Sequence, residues 1–347
     1  MSSNKTCLIL VNYNTWRDTT ECLESLFKLQ EPIDIVVVDN ASTDDSVMQI
    51  KNWAEGKIDV PIVNKTHENH ILPKINKPIN YWEIEEKEIL EEVKDDVSFT
   101  LIKAANNGGF SAGNNIGIKH CLRHLQGAYF WLLNNDTVVE KNCLAELIAY
   151  YKQKADSKLG ILGSKIAYYS HPTTLQCVGG GKYNKWLGKS SLVKEGAQVN
   201  STFKREDIQL DFISGASMFM SKKFIEDVGL MSEEYFLYFE ELDWTYRSAK
   251  MGYYIDYNPN SIVYHKGGES TGSNTNSNSV LTDFYYSRNK LLFTNKHLGK
   301  IYQCSIYLSF VLICLKRLLI GQANRIPMFV GIILNPHKNF SSIKIKN

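Results

Sequence analysis

The chain has 347 residues, 44% of them hydrophobic and 22% charged, with a formal net charge of +2. These are the proportions of a globular protein able to bury a large core, as one elaborated domain or as a main domain with an appendage. Seven cysteines, at positions 7, 22, 121, 143, 177, 304 and 314, make no Cys-x-x-Cys pair and no His-spaced cluster, which excludes a zinc site or a disulfide framework and reads them as reduced packing residues.

Residues 1–6 are short and polar, with no signal peptide ahead of the first strand, so the folded body is expected in the cytosol. Residues 7–11 read as a buried strand ending at Asn12-Tyr13-Asn14, followed from about Arg17 by a helix with Cys22, Leu23, Leu26 and Phe27 at helical spacing. Residues 33–38 form a second buried strand ending at Asp39-Asn40, and residues 42–45 offer caps for a helix through Trp53. This alternation predicts an α/β protein with a doubly wound, mostly parallel sheet. The pattern lapses over residues 64–98, a polar insertion whose Glu-rich stretch 82–94 reads as one exposed helix. Residues 99–104 resume the sheet. The run Asn106-Asn107-Gly108-Gly109-Phe110-Ser111-Ala112-Gly113-Asn114-Asn115 is a glycine-rich turn entering a helix through Leu125.

Residues 129–133 are five apolar residues in a row, too short for a helix, and they stop on Asn134-Asn135-Asp136. That is the pattern of a strand covered on both faces. A helix near 144–151 and a strand near 161–167 follow, then a Gly, Lys and Ser-rich loop or hairpin over 179–200. Residues 212–220 read as one strand, 240–251 as a helix, 261–264 as a strand ending at His265, and 270–279 as a mobile loop.

After Asp283 no acidic residue occurs, while about ten Lys and Arg do. Such a tail seeks phosphates, and its apolar runs at 306–315, 318–320 and 328–334 favour an anionic membrane surface over nucleic acid. The longest run is shorter than the ~20 residues of a spanning helix, so amphipathic helices lying in the interface are expected over 296–347. C-terminal helices packed on the main domain are the competing reading.

Polar groups therefore stand at the ends of predicted elements: Asp39, Asn107 with its glycines, Asp136, and Glu240-Glu241 with His265 beyond. Ligands of parallel sheets bind outside the carboxyl ends of the strands. A lone carboxylate there, flanked by amides, suits a hard divalent cation completed by phosphate oxygens and water. The dinucleotide fingerprint and the phosphate-loop signature are both absent.

In order along the chain, Asn12-Tyr13-Asn14, Val36-Val37-Val38-Asp39-Asn40-Ala41-Ser42-Thr43-Asp44, the Asn107 turn, Leu132-Leu133-Asn134-Asn135-Asp136, Phe236-Leu237-Tyr238-Phe239-Glu240-Glu241-Leu242-Asp243-Trp244 and Val263-Tyr264-His265 resemble the family 2 glycosyltransferases. The likeness covers residues 7–295 and is nearest to bacterial rhamnosyltransferase-like and galactofuranosyltransferase-like members, which also show an Arg-Asn pair such as Arg288-Asn289. The resemblance implies a GT-A type domain over 1–295. It implies a nucleotide-sugar site at Asn12, Tyr13, Asp39, Asn107, Gly109, Asn134 and Asn135, with Asp39 accepting from the imide of a uracil or thymine ring. Asp136 and His265 would bind Mn²⁺ or Mg²⁺ against the two phosphates. Glu241 would be the base that takes the acceptor's proton, with Glu240 and Asp243 as rivals, and Glu240, Asp243, Trp244 and Arg288 would lie on the acceptor or diphosphate side. Asn134 stands where many members carry the first acid of an Asp-x-Asp motif, and Glu241 where many carry Asp.

The resulting expectation is an inverting, metal-dependent glycosyltransferase. Its donor would be a dTDP- or UDP-sugar, with rhamnose the first choice, and its acceptor a hydroxyl of a lipid-linked, polyprenyl-carried or growing cell-surface polysaccharide. It would work as a peripheral protein on the cytoplasmic face of the cell membrane, with no nucleic-acid partner. A sugar-phosphate nucleotidyltransferase, or a non-catalytic nucleotide-sugar binding module, are the alternatives.

Overall fold

The computed structural model describes residues 5–60, 64–89, 97–125, 127–154, 158–267 and 279–337. The amino-terminal part alternates strand and helix: β1 (Thr6–Asn12), α1 (Trp16–Leu26), β2 (Ile33–Asp39), α2 (Ser46–Ala54), α3 (Glu68–Ile71), β3 (Tyr81–Glu85), β4 (Phe99–Lys103), α4 (Gly109–His124) and β5 (Tyr129–Asn134). These strands lie parallel in the order β3-β4-β2-β1-β5. Alternation along each strand explains its unbroken apolar sequence. Leu8, Leu10, Ile35, Val37, Trp131 and Leu133 enter one core with α1 and α2, whereas Cys7, Ile9, Val36, Val38, Phe130 and Leu132 enter another with α4.

Beyond β5 the chain runs through β6 (Thr137–Val139), α5 (Cys143–Gln153), β7 (Leu159–Tyr168), β8 (Leu175–Val178), β9 (Gly180–Asn184), β10 (Lys189–Leu192), β11 (Phe212–Ile213), β12 (Ser217–Ser221), α6 (Lys222–Val228), α7 (Glu240–Lys250) and β13 (Tyr254–His265). The main sheet continues β5-β12-β7-β13-β6, with β8 on β7, while β10-β9-β11 make a small second sheet. The sheet is thus mixed: β12 runs antiparallel to both of its neighbours, and β13 is parallel to β7.

Two expected elements take another form. The Glu-rich stretch expected as an exposed helix begins instead with β3, an edge strand of the main sheet, and a short 3-10 turn at Glu86–Glu88; residues 90–94 lie outside the described residues. Its charges belong to the edge: Glu83 pairs with Lys51 and Lys103, while Ile84 enters the core and Tyr81 stacks on Phe99 at 5.5 Å. The single strand expected over 212–220 is broken at Ser214-Gly215-Ala216, where the chain passes from the small sheet to the main one. The loop expected at 270–279 lies outside the described residues except for Ser279, whose hydroxyl caps the next helix.

That helix is α8 (Val280–His297), followed by α9 (Lys300–Leu319) and α10 (Ile326–Leu334). The boundary expected at 295/296 falls in the last turn of α8. Phe284 and Leu291 of α8 share an apolar cluster with Ile306, Phe310, Met328, Phe329 and Ile332, so the tail packs on the domain. Asp283 adds a polar tie, accepting from Arg317 at 2.6 Å and from Arg325. The outer face of α9 remains bare: Ile301, Leu308, Val311, Leu312 and Leu315 are each more than half exposed. By length and composition α9 could also cross a membrane.

Glycines on α4 set how deeply its first turn can approach the strand ends. A Cβ at Gly113 would come within 2.7 Å of Val11, and one at Gly117 within 2.6 Å of Ile9, so α4 lies directly on β1. Gly117→Val should therefore destabilise the fold by ~1–3 kcal/mol, the usual cost of overpacking. Urea unfolding would read this as a lower midpoint at unchanged slope; an unchanged midpoint would mean that α4 can lift off β1 freely.

Candidate active site

A cavity of about 850 Å³ opens at the carboxyl ends of β1 and β5, where Tyr13, Asn40, Asn107, Gly109, Asn134, Asn135 and Asp136 meet Glu240, Glu241, His265 and Arg288. Residues distant in sequence converge there because the parallel strands all end on this side.

One wall is held by amides. Asn40 Nδ2 donates to Asn107 Oδ1 and to the Gly109 carbonyl, both at 3.0 Å, and Asn107 Oδ1 also accepts from Gly109 N–H at 3.0 Å. Gly109 is obligatory: it has φ +81°, and a Cβ there would sit 2.0 Å from the Phe236 carbonyl oxygen. Asn135 donates to Thr15 and Thr19, tying the strand end to α1.

At the end of β5, Asp136 Oδ1 lies 3.2 Å from His265 Nε2, at the end of β13. Gln176 Oε1 accepts from His265 Nδ1 at 2.7 Å, which directs Nε2 towards Asp136 and Asn134. Burial opposes charge on Asp136, but the charge and hydrogen bond of His265 and the Gly267 N–H hold its pKa below the usual carboxylate value. Burial likewise opposes charge on His265, and Asp136 overrides it, raising the imidazole. A carboxylate beside an oriented imidazole suits a borderline cation such as Mn²⁺. Among the described residues no group of three or more His, Cys, Asp or Glu side chains is gathered for a metal, so a cation held here would take its remaining donors from a diphosphate and water.

The facing wall is the start of α7. Burial raises Glu241 to about 7, with hydrogen bonds from the backbone of Glu241 and Gly215 holding it down in part. Gly215 makes this approach possible, since a Cβ there would meet Glu241 Oε1 at 2.6 Å. Glu240 is pushed well above the ordinary range by burial and by the charge of Glu241, and its Oε2 finds no partner among the described residues. The residues leading in are strained: Tyr238 and Phe239 have φ of 71° and 75° and neither is glycine, at a cost of ~1–3 kcal/mol each.

Four expected site residues stand elsewhere. Asn12 and Asp39 lie beneath the cavity floor: Asp39 Oδ1 accepts from Asn12 Nδ2 at 2.7 Å and from Ser42 Oγ at 2.6 Å, and its Oδ2 accepts from Ser42 N–H at 3.0 Å. Asp39 fixes the loop after β2, and Asn40 is the residue that reaches the cavity. Asp243 is fully buried and accepts from His297 at 2.7 Å, Lys296 at 3.0 Å and Arg247 at 2.8 Å. Burial would raise it, yet those three partners hold it well below the carboxylate range, and it bolts α7 to α8. Trp244 donates to the Gly229 carbonyl at 2.9 Å and packs edge-on against Phe224 in the core. Conversely, Ser214, Gly215, Phe236 and Tyr285 line the cavity without having been expected. Gly215 carried a signal, for an isolated glycine inside a strand pattern marks a bulge or a close approach.

A family model described as "Glycosyltransferase like family 2" matches residues 84–280, more than half of the chain, and one described as "Glycosyl transferase family 2" matches residues 7–81. The low-salt glycan biosynthesis hexosyltransferase Agl10 of Haloferax volcanii is 25% identical over 157 residues, 45% of this chain and 47% of its own; the match thus spans about half the length of that relative. Two solved structures share the GT-A fold. The mannosyltransferase PcManGT from Pyrobaculum calidifontis, in complex with GDP-Man and Mn²⁺, aligns with 97% of this chain and 88% of its own, at TM-score 0.50 and 12% identity. GalNAc-T7, with UDP, GalNAc and Mn²⁺, aligns with 82% of this chain and 47% of its own, at TM-score 0.52 and 15% identity. The chain belongs to glycosyltransferase family 2.

The raised carboxyl on α7 has a consequence for stability. Because Glu241 binds its proton more tightly folded than unfolded, it costs nothing below pH ~4.5 and becomes destabilising as pH rises from there to about 7. Glu241→Gln should therefore be more stable than the parent at pH 8, by on the order of 1–3 kcal/mol. The difference should close as pH falls to 4.5. Urea melts across that range read it directly, and equal stability at pH 8 would place the carboxylate in water.

Proposed function

We propose that this glycosyltransferase transfers a sugar, with inversion, from a nucleoside-diphosphate sugar to a hydroxyl of a lipid-linked or growing cell-surface glycan, in a reaction that depends on Mn²⁺ or Mg²⁺. The observation that carries the reading is one cavity holding two differently tuned acidic centres, Asp136 charged beside His265 and Glu241 raised to about 7. Asp136 and His265 would hold the cation, which supplies positive charge to the departing diphosphate. Asn107, Asn134 and the Gly108-Gly109 backbone border the same space and would orient the donor.

Glu241 would act on the acceptor. As the acceptor oxygen forms its bond to the anomeric carbon, the carboxylate takes the hydroxyl proton, and the bond from that carbon to the diphosphate oxygen breaks on the opposite face. A base near pH 7 is poised for this at neutral pH, and Glu240, kept neutral beside it, adds no second charge. The donor base would be uracil or thymine and the sugar rhamnose in the first instance, a choice resting on family likeness.

The site would work at the cytoplasmic face of a membrane, with α9 lying in the interface. The bare stripe of Ile301, Leu308, Val311, Leu312 and Leu315 supports this, as do Lys300 and Lys316 on a tail that lacks acidic residues after Asp283.

Two experiments test the reading. With a panel of UDP-, dTDP- and GDP-sugars and Mn²⁺, turnover should release free nucleoside diphosphate. Asp136→Ala and His265→Ala should lose most of it, and Glu241→Gln should fall at least ~100-fold with donor binding preserved. Full activity in EDTA would remove the metal, and release of pyrophosphate would point to nucleotidyl transfer instead. Leu308→Glu with Leu312→Glu should weaken sedimentation with anionic vesicles at an unchanged melting temperature; undiminished binding would end the membrane assignment.

A further inference from the structure

The strained turn in front of Glu240 is held from outside, by α8. Asn289 is fully buried and donates both amide hydrogens to this turn, to the Leu237 carbonyl at 2.8 Å and to the Tyr238 carbonyl at 2.9 Å. Its own Oδ1 accepts from Arg288 Nη1 at 2.7 Å, and the same Nη1 donates to the Glu234 carbonyl at 2.9 Å. Phe236 lies flat on Tyr285 of α8, with ring centres 4.7 Å apart and planes 15° apart. Three carbonyls of the segment that delivers the carboxylates are thus gripped by two consecutive residues of one helix.

A turn that served only to reverse the chain would carry glycine or asparagine where φ is positive. Here Tyr238 and Phe239 occupy those positions, and their side chains pack against Tyr286 and Phe293. The backbone conformation is therefore not one that these residues adopt by preference. It persists because surrounding groups determine it, which is how strain is kept at working sites.

We propose that Asn289, oriented by Arg288, is a positioning residue for sugar transfer: its two amide hydrogen bonds hold the Leu237–Tyr238 backbone so that the start of α7 seats the Glu241 carboxylate against Gly215 at the cavity. The proposal rests on Glu241 as the base. Asn289 does not line the cavity and acts through the turn. The part of the donor side built on β5 and β13 is anchored independently of it, and the Asn107 turn, which meets this loop at Phe236, is also held by Asn40.

The test compares Asn289→Ala and Asn289→Asp with the parent and with Glu241→Gln, measuring kcat, donor KM and thermal unfolding. The aspartate keeps the volume and the acceptor for Arg288 but lacks the two donors. The expected result is a kcat lower by on the order of 10- to 100-fold, the scale of a misplaced catalytic group, with donor KM within about threefold of the parent in protein that still unfolds cooperatively. An inactive Glu241→Gln beside folded Asn289 variants of parental kcat would overturn the positioning role alone. A fully active Glu241→Gln would instead overturn the base assignment. Failure of both Asn289 variants to fold, or a rise in donor KM equal to the fall in kcat/KM, would overturn the proposal by making the amide a structural or donor-binding group.

Discussion

Burial of the central strands on both faces is the constraint from which the rest follows. Alternate side chains of β1, β2 and β5 enter two separate cores, so a polar group along their length is costly unless it finds a partner. Chemistry is left to the strand ends and to the loops beyond them. All these strands run parallel, and their carboxyl ends gather Asn134, Asn135 and Asp136 beside the turn after β2. The glycine face of α4 then lets the Asn107 turn down against the same edge.

Two carboxylate environments share the resulting space, and burial acts on both. At Asp136 it is outweighed by an imidazole whose other nitrogen is already engaged by Gln176, and the acid stays charged. At Glu240 and Glu241 no cation among the described residues offsets burial, and both hold protons more firmly than in water. The contrast extends one turn into α7, where Asp243 is held below the carboxylate range by Arg247, Lys296 and a hydrogen bond from His297. Three acids within four residues thus differ in how firmly they hold a proton, as set by the elements packed against each.

The strands and helices that bury both faces were legible because a short apolar run between turn formers has few other homes. The Asp136 and His265 pair came from family likeness; nothing local to either residue announces the other, 129 positions away. The edge strand β3 was not legible, because Glu83 and Glu85 look like a solvated helix face until Lys51 and Lys103 are brought alongside. The hydrogen bonds of Asp39 to Asn12 and Ser42 were not legible, because those partners could equally have been loop residues. Asp243 was not separable from Glu240 and Glu241 in the sequence, because its partners Lys296 and His297 lie more than fifty positions away on another helix.

The meeting of Gly109 with the Phe236 carbonyl joins the two loops on either side of the cavity backbone to backbone, with Phe110 N–H donating to that same oxygen at 2.9 Å. Neither loop can be lengthened, shortened or exchanged alone without breaking that seam. Recombination between relatives, in nature or in a library, would keep a working site only where both loops travel together as one inherited cassette, although 126 residues of chain separate them.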